Sequence, residues 1–200
     1  MSQAEELRRV FIALDLPTPV KGFLKSISET LSTHKLKGLR VVDPDNFHLT
    51  LRFLGKTSPA SIAMLAASLE EITTSFQPFF VRPEGVDVFP KKHDARVLWI
   101  GIGGDFEALH SLRALVEGIT DKILLSTRRS QFHPHITLAR FTSTATAQDR
   151  SESIAALTNI VDSMECYAPN LSCGISLIQS TLTPRSASYI QLHNTRFRGQ

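Results

Sequence analysis

Two histidines, His48 and His135, each open a four-residue stretch of the form His-x-Thr-Leu, and these residue types can carry out acid–base chemistry at phosphorus. An imidazole titrates near pH 6.5, so one histidine can be neutral while another is protonated near neutrality. A base and an acid on opposite sides of a phosphorus atom supply the proton transfers of an in-line displacement. The hydroxyls of Thr50 and Thr137 can donate hydrogen bonds to phosphate oxygens.

The doubling of this motif separates it from a chance match. The chain has 7 histidines in 200 residues, so one such tetrad is expected roughly 0.07 times by chance and two about 0.003 times. The residues after each tetrad also match, apart from one extra residue in the second copy, and a helical pattern follows each copy. Two half-domains that place equivalent strands side by side would produce this repeat.

The first tetrad lies in Phe47–Leu54, which alternates like a β-strand. Because side chains two residues apart point the same way along a strand, we expect His48, Thr50 and Arg52 on one face. The apolar residues between them, including Phe53, are expected on the opposite face, which anchors the strand in the core. Arg52 is then a candidate to hold the negative charge of a phosphate.

The second tetrad lies in Phe132–Arg140, where His133, His135 and Thr137 are expected to share one face. Arg140, near the end of this strand, is a second candidate to hold phosphate charge. His133 and His135 could alternatively form a metal pair. No third or fourth ligand stands at a useful spacing, so neither a metal nor another cofactor is predicted.

The rest of the chain alternates between strand-like and helical patterns. The strand patterns span Arg9–Asp15, Phe79–Val88, Arg96–Ile102, Cys173–Leu182 and Ser188–Leu192, and the helical patterns span Pro19–Ser32, Ser58–Ser75, Asp105–Ile123 and Ala145–Met164. This mixture predicts a layered α+β or α/β fold. A length of 200 residues suits a single domain over 1–200, or two small lobes that share a core.

Composition indicates a globular cytoplasmic protein. Hydrophobic residues make up 42% of the chain and charged residues 20%, and no apolar run reaches the ~20 residues of a membrane helix. The N-terminus lacks the pattern of a signal peptide, and the two cysteines are expected to be free thiols. The net charge of +3 is too weak to diagnose nucleic-acid binding.

Local basic clusters leave RNA contact open, beside the alternative of solvated loops. They comprise Lys35, Lys37 and Arg40; Lys91, Lys92 and Arg96; and Arg128 and Arg129. The first and the last of these clusters lie shortly before the motif histidines. If the second and third flank the groove, they should attract an RNA backbone.

The paired HLTL and HITL tetrads resemble those of the two-histidine (2H) phosphoesterase superfamily. The segments RRVFIALDLP, NFHLTLRFLG, RVLWIGI and FHPHITLAR are similar to those of bacterial and archaeal RNA 2′,3′-cyclic phosphodiesterases, also called 2′-5′ RNA ligase-like proteins. The resemblance runs from Arg9 to about Tyr189. It implies two similar, intertwined α+β lobes of antiparallel-rich sheet with outer helices, around a central groove that holds both tetrads.

The resemblance also implies a reaction, the hydrolysis of RNA 2′,3′-cyclic phosphate ends to 2′-phosphates without a cofactor. Carried over, it makes His48 the proton donor and His135 the proton acceptor, with Thr50 and Thr137 binding the phosphate. His133 stands where the family carries Arg or His. A late family element is represented here by Ser180, Leu182, Pro184, Ser186 and Tyr189, with Ser186 in place of a common glycine.

We therefore expect a monomeric enzyme that acts on RNA ends, with tRNA fragments as one candidate class, and that also supports the reverse 2′-5′ ligation. Three alternatives stay open: an RNA-binding module without turnover, a phosphodiesterase for small cyclic phosphates, and a metal-dependent hydrolase. No membrane association is expected.

Overall fold

The computed structural model describes residues 6–125, 131–164, 168–182 and 187–198. Arg128, Arg129, Pro184 and Ser186, which the sequence analysis named, lie outside these ranges, and so does Cys166, one of the two cysteines. The described part contains the strands β1 (Arg8–Leu14), β2 (Leu39–Val41), β3 (Leu49–Thr57), β4 (Phe79–Phe89), β5 (Val97–Gly104), β6 (His135–Phe141), β7 (Asn170–Ser172), β8 (Gly174–Leu182) and β9 (Ala187–Arg196), and the helices α1 (Thr18–Thr33), α2 (Pro59–Ser75), α3 (Phe106–Leu124) and α4 (Ala147–Ser163).

The strands form two sheets in which every paired neighbour is antiparallel. The first sheet has the order β3-β1-β8-β9 and the second the order β2-β6-β5-β4-β7. The predicted α+β class with antiparallel sheets and outer helices is confirmed. The short strands β2 and β7 were not predicted, because three residues are too few to show a pattern.

The helices tie the two sheets together. Helices α2 and α3 pack on the first sheet, against β8, β9 and β3, whereas α1 and α4 pack on the second sheet, against β2 and β4. Helix α3 nevertheless connects two strands of the second sheet, β5 and β6. Helix α3 therefore packs on the first sheet although the strands before and after it belong to the second.

Helix starts follow the local sequence at α2 but not at α3. The Ser58 hydroxyl accepts a hydrogen bond from the Ser61 amide at 3.1 Å, and Pro59 occupies the first helical turn, as this sequence predicts. Asp105 precedes α3 without capping it through its side chain. Its carboxylate instead accepts a hydrogen bond from the Phe80 amide at 2.8 Å, which joins α3 to β4.

Each tetrad strand carries an irregularity at the leucine of its tetrad. In the pairing of β3 with β1, Thr50 and Arg52 have consecutive partners and Leu51 is passed over. In the pairing of β6 with β5, Leu138 is passed over in the same way. One extra residue in a strand reverses the face to which the following side chains point.

Because of the bulge at Leu51, the predicted orientation of Arg52 on the face of His48 is wrong. Arg52 does not share the face of His48; its side chain is only 9% exposed and points toward α3. There its guanidinium donates to the Glu117 carboxylate at 2.9 Å and to the Asp121 carboxylate at 2.6 Å. Phe53, expected on the core face, is instead 67% exposed.

Candidate active site

The two tetrads lie together in a groove of about 1000 Å³. Strands β3 and β6, which belong to different sheets, come into contact here. His48 and Thr50 line the groove from the first sheet, and His135 and Thr137 line it from the second. Within the described ranges, neither threonine hydroxyl has a hydrogen-bond partner, so both are available to a ligand.

Both imidazoles are held by the same local contact. Nδ1–H of His48 donates to the Asn46 carbonyl, two residues upstream, at 2.7 Å. Nδ1–H of His135 donates to the His133 carbonyl, also two residues upstream, at 2.6 Å. A carbonyl can only accept, so it keeps the proton on Nδ1 and leaves Nε2 of each ring for a substrate. Nε2 can then take or give a proton.

Aromatic side chains surround each histidine. His48 lies between Phe11, at 4.7 Å between ring centroids, and Tyr189, whose ring meets it edge-on at 5.1 Å. His135 meets Phe89 edge-on at 4.9 Å and lies 5.6 Å from the Trp99 ring. These contacts fix the ring orientations and remove water from the imidazoles.

The surroundings lower the pKa of both histidines below 6.5. Burial is the main cause for each, because it disfavours the charged imidazolium. For His48, the hydrogen bond to Asn46 opposes this effect, while the nearby His135 and Arg140 add to it. For His135, the hydrogen bond to His133 opposes it, and the side chains of His133 and Arg140 add to it.

Arg140, which the sequence analysis named as a candidate to hold phosphate charge, lines the groove. It follows the bulge at Leu138 and therefore projects on the same side as His135 and Thr137. Its charge acts on both histidines and also on Tyr189. Burial raises the pKa of the Tyr189 hydroxyl, which also lines the groove and stays protonated.

Two other predicted site residues lie elsewhere. Arg52 is held by α3, away from the groove lining. The side chain of His133 is exposed and does not line the groove either; its ring lies 5.8 Å from Phe89. What His133 supplies is the backbone carbonyl that orients His135.

The groove also holds residues that sequence reasoning missed. Arg9, Arg40 and Phe53 all line it, although Arg40 was noted only as part of a basic cluster. A signal for Phe53 did exist. If the two tetrads are aligned without a gap, Phe53 falls opposite Arg140, and Arg52 falls opposite the buried Ala139.

Among the described residues, no group of three or more His, Cys, Asp or Glu side chains is placed to hold a metal ion. None of the described helices is long and apolar enough to cross a membrane.

Known proteins are similar to this chain in sequence. Residues 14–99 match the family model of the LigT-like phosphoesterases. An RNA 2′,3′-cyclic phosphodiesterase of Archaeoglobus fulgidus is 30% identical over 92% of this chain and 97% of its own length. One of Aeropyrum pernix is 32% identical over 79% of this chain and 86% of its own.

Solved structures show the same fold. A Thermus thermophilus protein matches with a TM-score of 0.70 at 25% identity, over 96% of this chain and 99% of its own. LigT of Escherichia coli matches with a TM-score of 0.69 at 23% identity, over the same shares. Fold and paired tetrads together define a 2H phosphoesterase. Within that class, the chain belongs to the LigT-like RNA 2′,3′-cyclic phosphodiesterase family.

Proposed function

We propose that this protein hydrolyses the 2′,3′-cyclic phosphate ends of RNA to 2′-phosphates, with His48 as general acid and His135 as general base. The observation that carries the proposal is the pair of imidazoles, one from each sheet, that present Nε2 to one groove while a carbonyl holds each Nδ1. The names of the relatives, RNA 2′,3′-cyclic phosphodiesterases, support the choice of substrate.

In the proposed reaction, a water molecule attacks phosphorus from the side of His135, whose Nε2 takes the water proton. The bond between phosphorus and the 3′ oxygen breaks on the opposite side, and Nε2–H of His48 protonates the leaving oxygen. The product carries a 2′-phosphate and a 3′-hydroxyl. A 5′-hydroxyl of a second RNA in place of water would give a 2′–5′ junction through the same two proton transfers.

Substrate binding prepares the acid. Both histidines have lowered pKa values in the free protein, and a proton donor must be charged before it can act. A bound phosphate carries negative charge, and an anion beside an imidazole raises its pKa. The substrate thus helps to protonate His48, while Arg140 balances the charge that develops on the phosphate oxygens.

The remaining contacts are assigned by position. Thr50 and Thr137 donate hydrogen bonds to the two non-bridging phosphate oxygens, one from each sheet. The exposed ring of Phe53 offers a flat apolar surface within the groove for the base of the terminal nucleotide. One chain supplies both tetrads, so a monomer holds the complete proposed site.

An oligonucleotide with a 2′,3′-cyclic phosphate end tests the proposal. The purified protein should convert it to the 2′-phosphate, resolved from the 3′-phosphate by chromatography against both standards. The double variant His48→Ala, His135→Ala serves as the control for contaminating nucleases. Binding without turnover would favour an RNA-binding module, and a 3′-phosphate product would contradict the assigned leaving group.

A further inference from the structure

Two arginines stand side by side at one end of the groove. Arg40 on β2 lies directly opposite Arg140 on β6 in the antiparallel pairing. Directly opposed residues project from the same face of a sheet, and both arginines line the groove with exposed side chains. Like charges in this arrangement repel, which destabilises the pairing of the two strands.

This pair is not matched by an ion pair within the described ranges. Neither guanidinium makes an ion pair there. Asp43 also lines the groove, and its carboxylate accepts a hydrogen bond from the Asp45 amide at 3.0 Å rather than from either guanidinium. The exposed hydroxyl of Ser143 completes the local lining. The pair is therefore arranged to receive anions from the groove.

The two arginines differ in their relation to the histidines. Arg140 projects on the same side of β6 as His135 and lines the groove with both histidines, so it lies beside the position proposed for the reacting phosphate. Arg40 lies one strand further out, about 4.8 Å away across the sheet, on the edge strand β2. A ligand that binds both Arg40 and Arg140 therefore carries a second phosphate next to the reacting one.

We propose that Arg40 binds the 5′-phosphate of the terminal nucleotide and so makes the enzyme prefer RNA ends to small cyclic phosphates. The inference rests on the proposed function. At a 3′ end of RNA, the backbone phosphate nearest to the cyclic phosphate is the one at the 5′ position of the same nucleotide. Nucleosides and small metabolites with only a cyclic phosphate lack this group and gain nothing from Arg40.

Two substrates that differ by a single group test the inference: adenosine 2′,3′-cyclic phosphate and the same compound with a 5′-phosphate. A charge-assisted hydrogen bond contributes enough for about a tenfold preference in kcat/KM for the phosphorylated compound. Arg40→Gln should bring the ratio of the two kcat/KM values close to one, and Arg40→Lys should restore part of it. Arg196→Gln, an equal loss of charge at an exposed site outside the groove lining, should keep the wild-type ratio.

Folding provides a second readout. Because Arg40→Gln removes a like-charge pair, its Tm should equal or exceed that of the wild type, so a lost ratio cannot be ascribed to unfolding. Equal kcat/KM for both substrates in the wild type, or an unchanged ratio in Arg40→Gln, would overturn the inference and leave the proposed function standing. Failure of the wild type to hydrolyse either compound or a cyclic-phosphate oligonucleotide would overturn both.

Discussion

Replacing Arg52 with methionine should destabilise the fold and leave the chemistry in the groove almost unchanged. Methionine replaces the aliphatic part of the side chain and removes the guanidinium with its charge. Glu117 retains the hydrogen bond from Arg113 at 2.7 Å, but Asp121 loses the bond from Arg52. The variant thus leaves a partly buried carboxylate without the cation that faced it.

The expected cost follows from the burial of the three groups. Removal of one partner of a buried ion pair costs about 3–5 kcal/mol. Arg52 is 9% exposed, but Glu117 and Asp121 are 15% and 21% exposed, so water can partly solvate them. We therefore expect the lower end of the range, about 3 kcal/mol. For a chain of this length, that corresponds to a fall in Tm of about 6–12 °C.

Arg140→Gln provides the matched control, because it removes the same charge from the other tetrad strand. Calorimetry and kcat/KM at 25 °C should give opposite patterns for the two variants. Arg52→Met should lose Tm and keep kcat/KM within about threefold of the wild type, whereas Arg140→Gln should keep its Tm and lose about 100-fold in kcat/KM. A large loss of activity in Arg52→Met at an unchanged Tm would refute the inward orientation of Arg52.

Three further predictions concern the groove. The profile of kcat/KM against pH should be bell-shaped, with its optimum below pH 6.5. The activity should fall as pH drops through the lowered pKa of His135, and fall again as pH rises through the lowered pKa of His48. The kcat profile should lie at higher pH because bound phosphate raises both pKa values, and an alkaline optimum for kcat/KM would contradict this. Phe53→Ala should raise KM for a nucleoside cyclic phosphate about tenfold, whereas a cyclic phosphate of ribose without a base should show no change. Turnover should survive exhaustive chelation; loss of activity in chelator that a divalent ion restores would indicate a metal-dependent hydrolase.

Much of the framework follows from sequence patterns alone. Periodicity located the four helices and the longer strands to within a few residues, because most of them bury one regular apolar face. The repeat of His-x-Thr-Leu identified the four side chains that the fold brings into one groove. Their proximity arises where β3 and β6, from different sheets, come into contact.

The parts that sequence reasoning missed depend on pairing between distant segments. A bulge forms where one strand of a pair carries an extra residue opposite its partner. The sequence around Leu51 does not indicate one. The alternation rule therefore placed Arg52 in the groove and Phe53 in the core, the reverse of the structure. Arg40 and Arg140 are 100 residues apart, and a three-residue strand brings them together, so their interaction cannot be read from spacing.

The most direct test of two-histidine catalysis compares His48→Ala and His135→Ala on two substrates that differ in the acidity of the 3′ leaving group. Each substitution should cost about 10²–10⁴-fold in kcat/KM on the natural cyclic phosphate. A better leaving group needs less protonation, so it should rescue His48→Ala, which lacks the acid, far more than His135→Ala, which lacks the base. Equal rescue of both variants would contradict the assigned roles, and full activity in either variant would contradict the site itself.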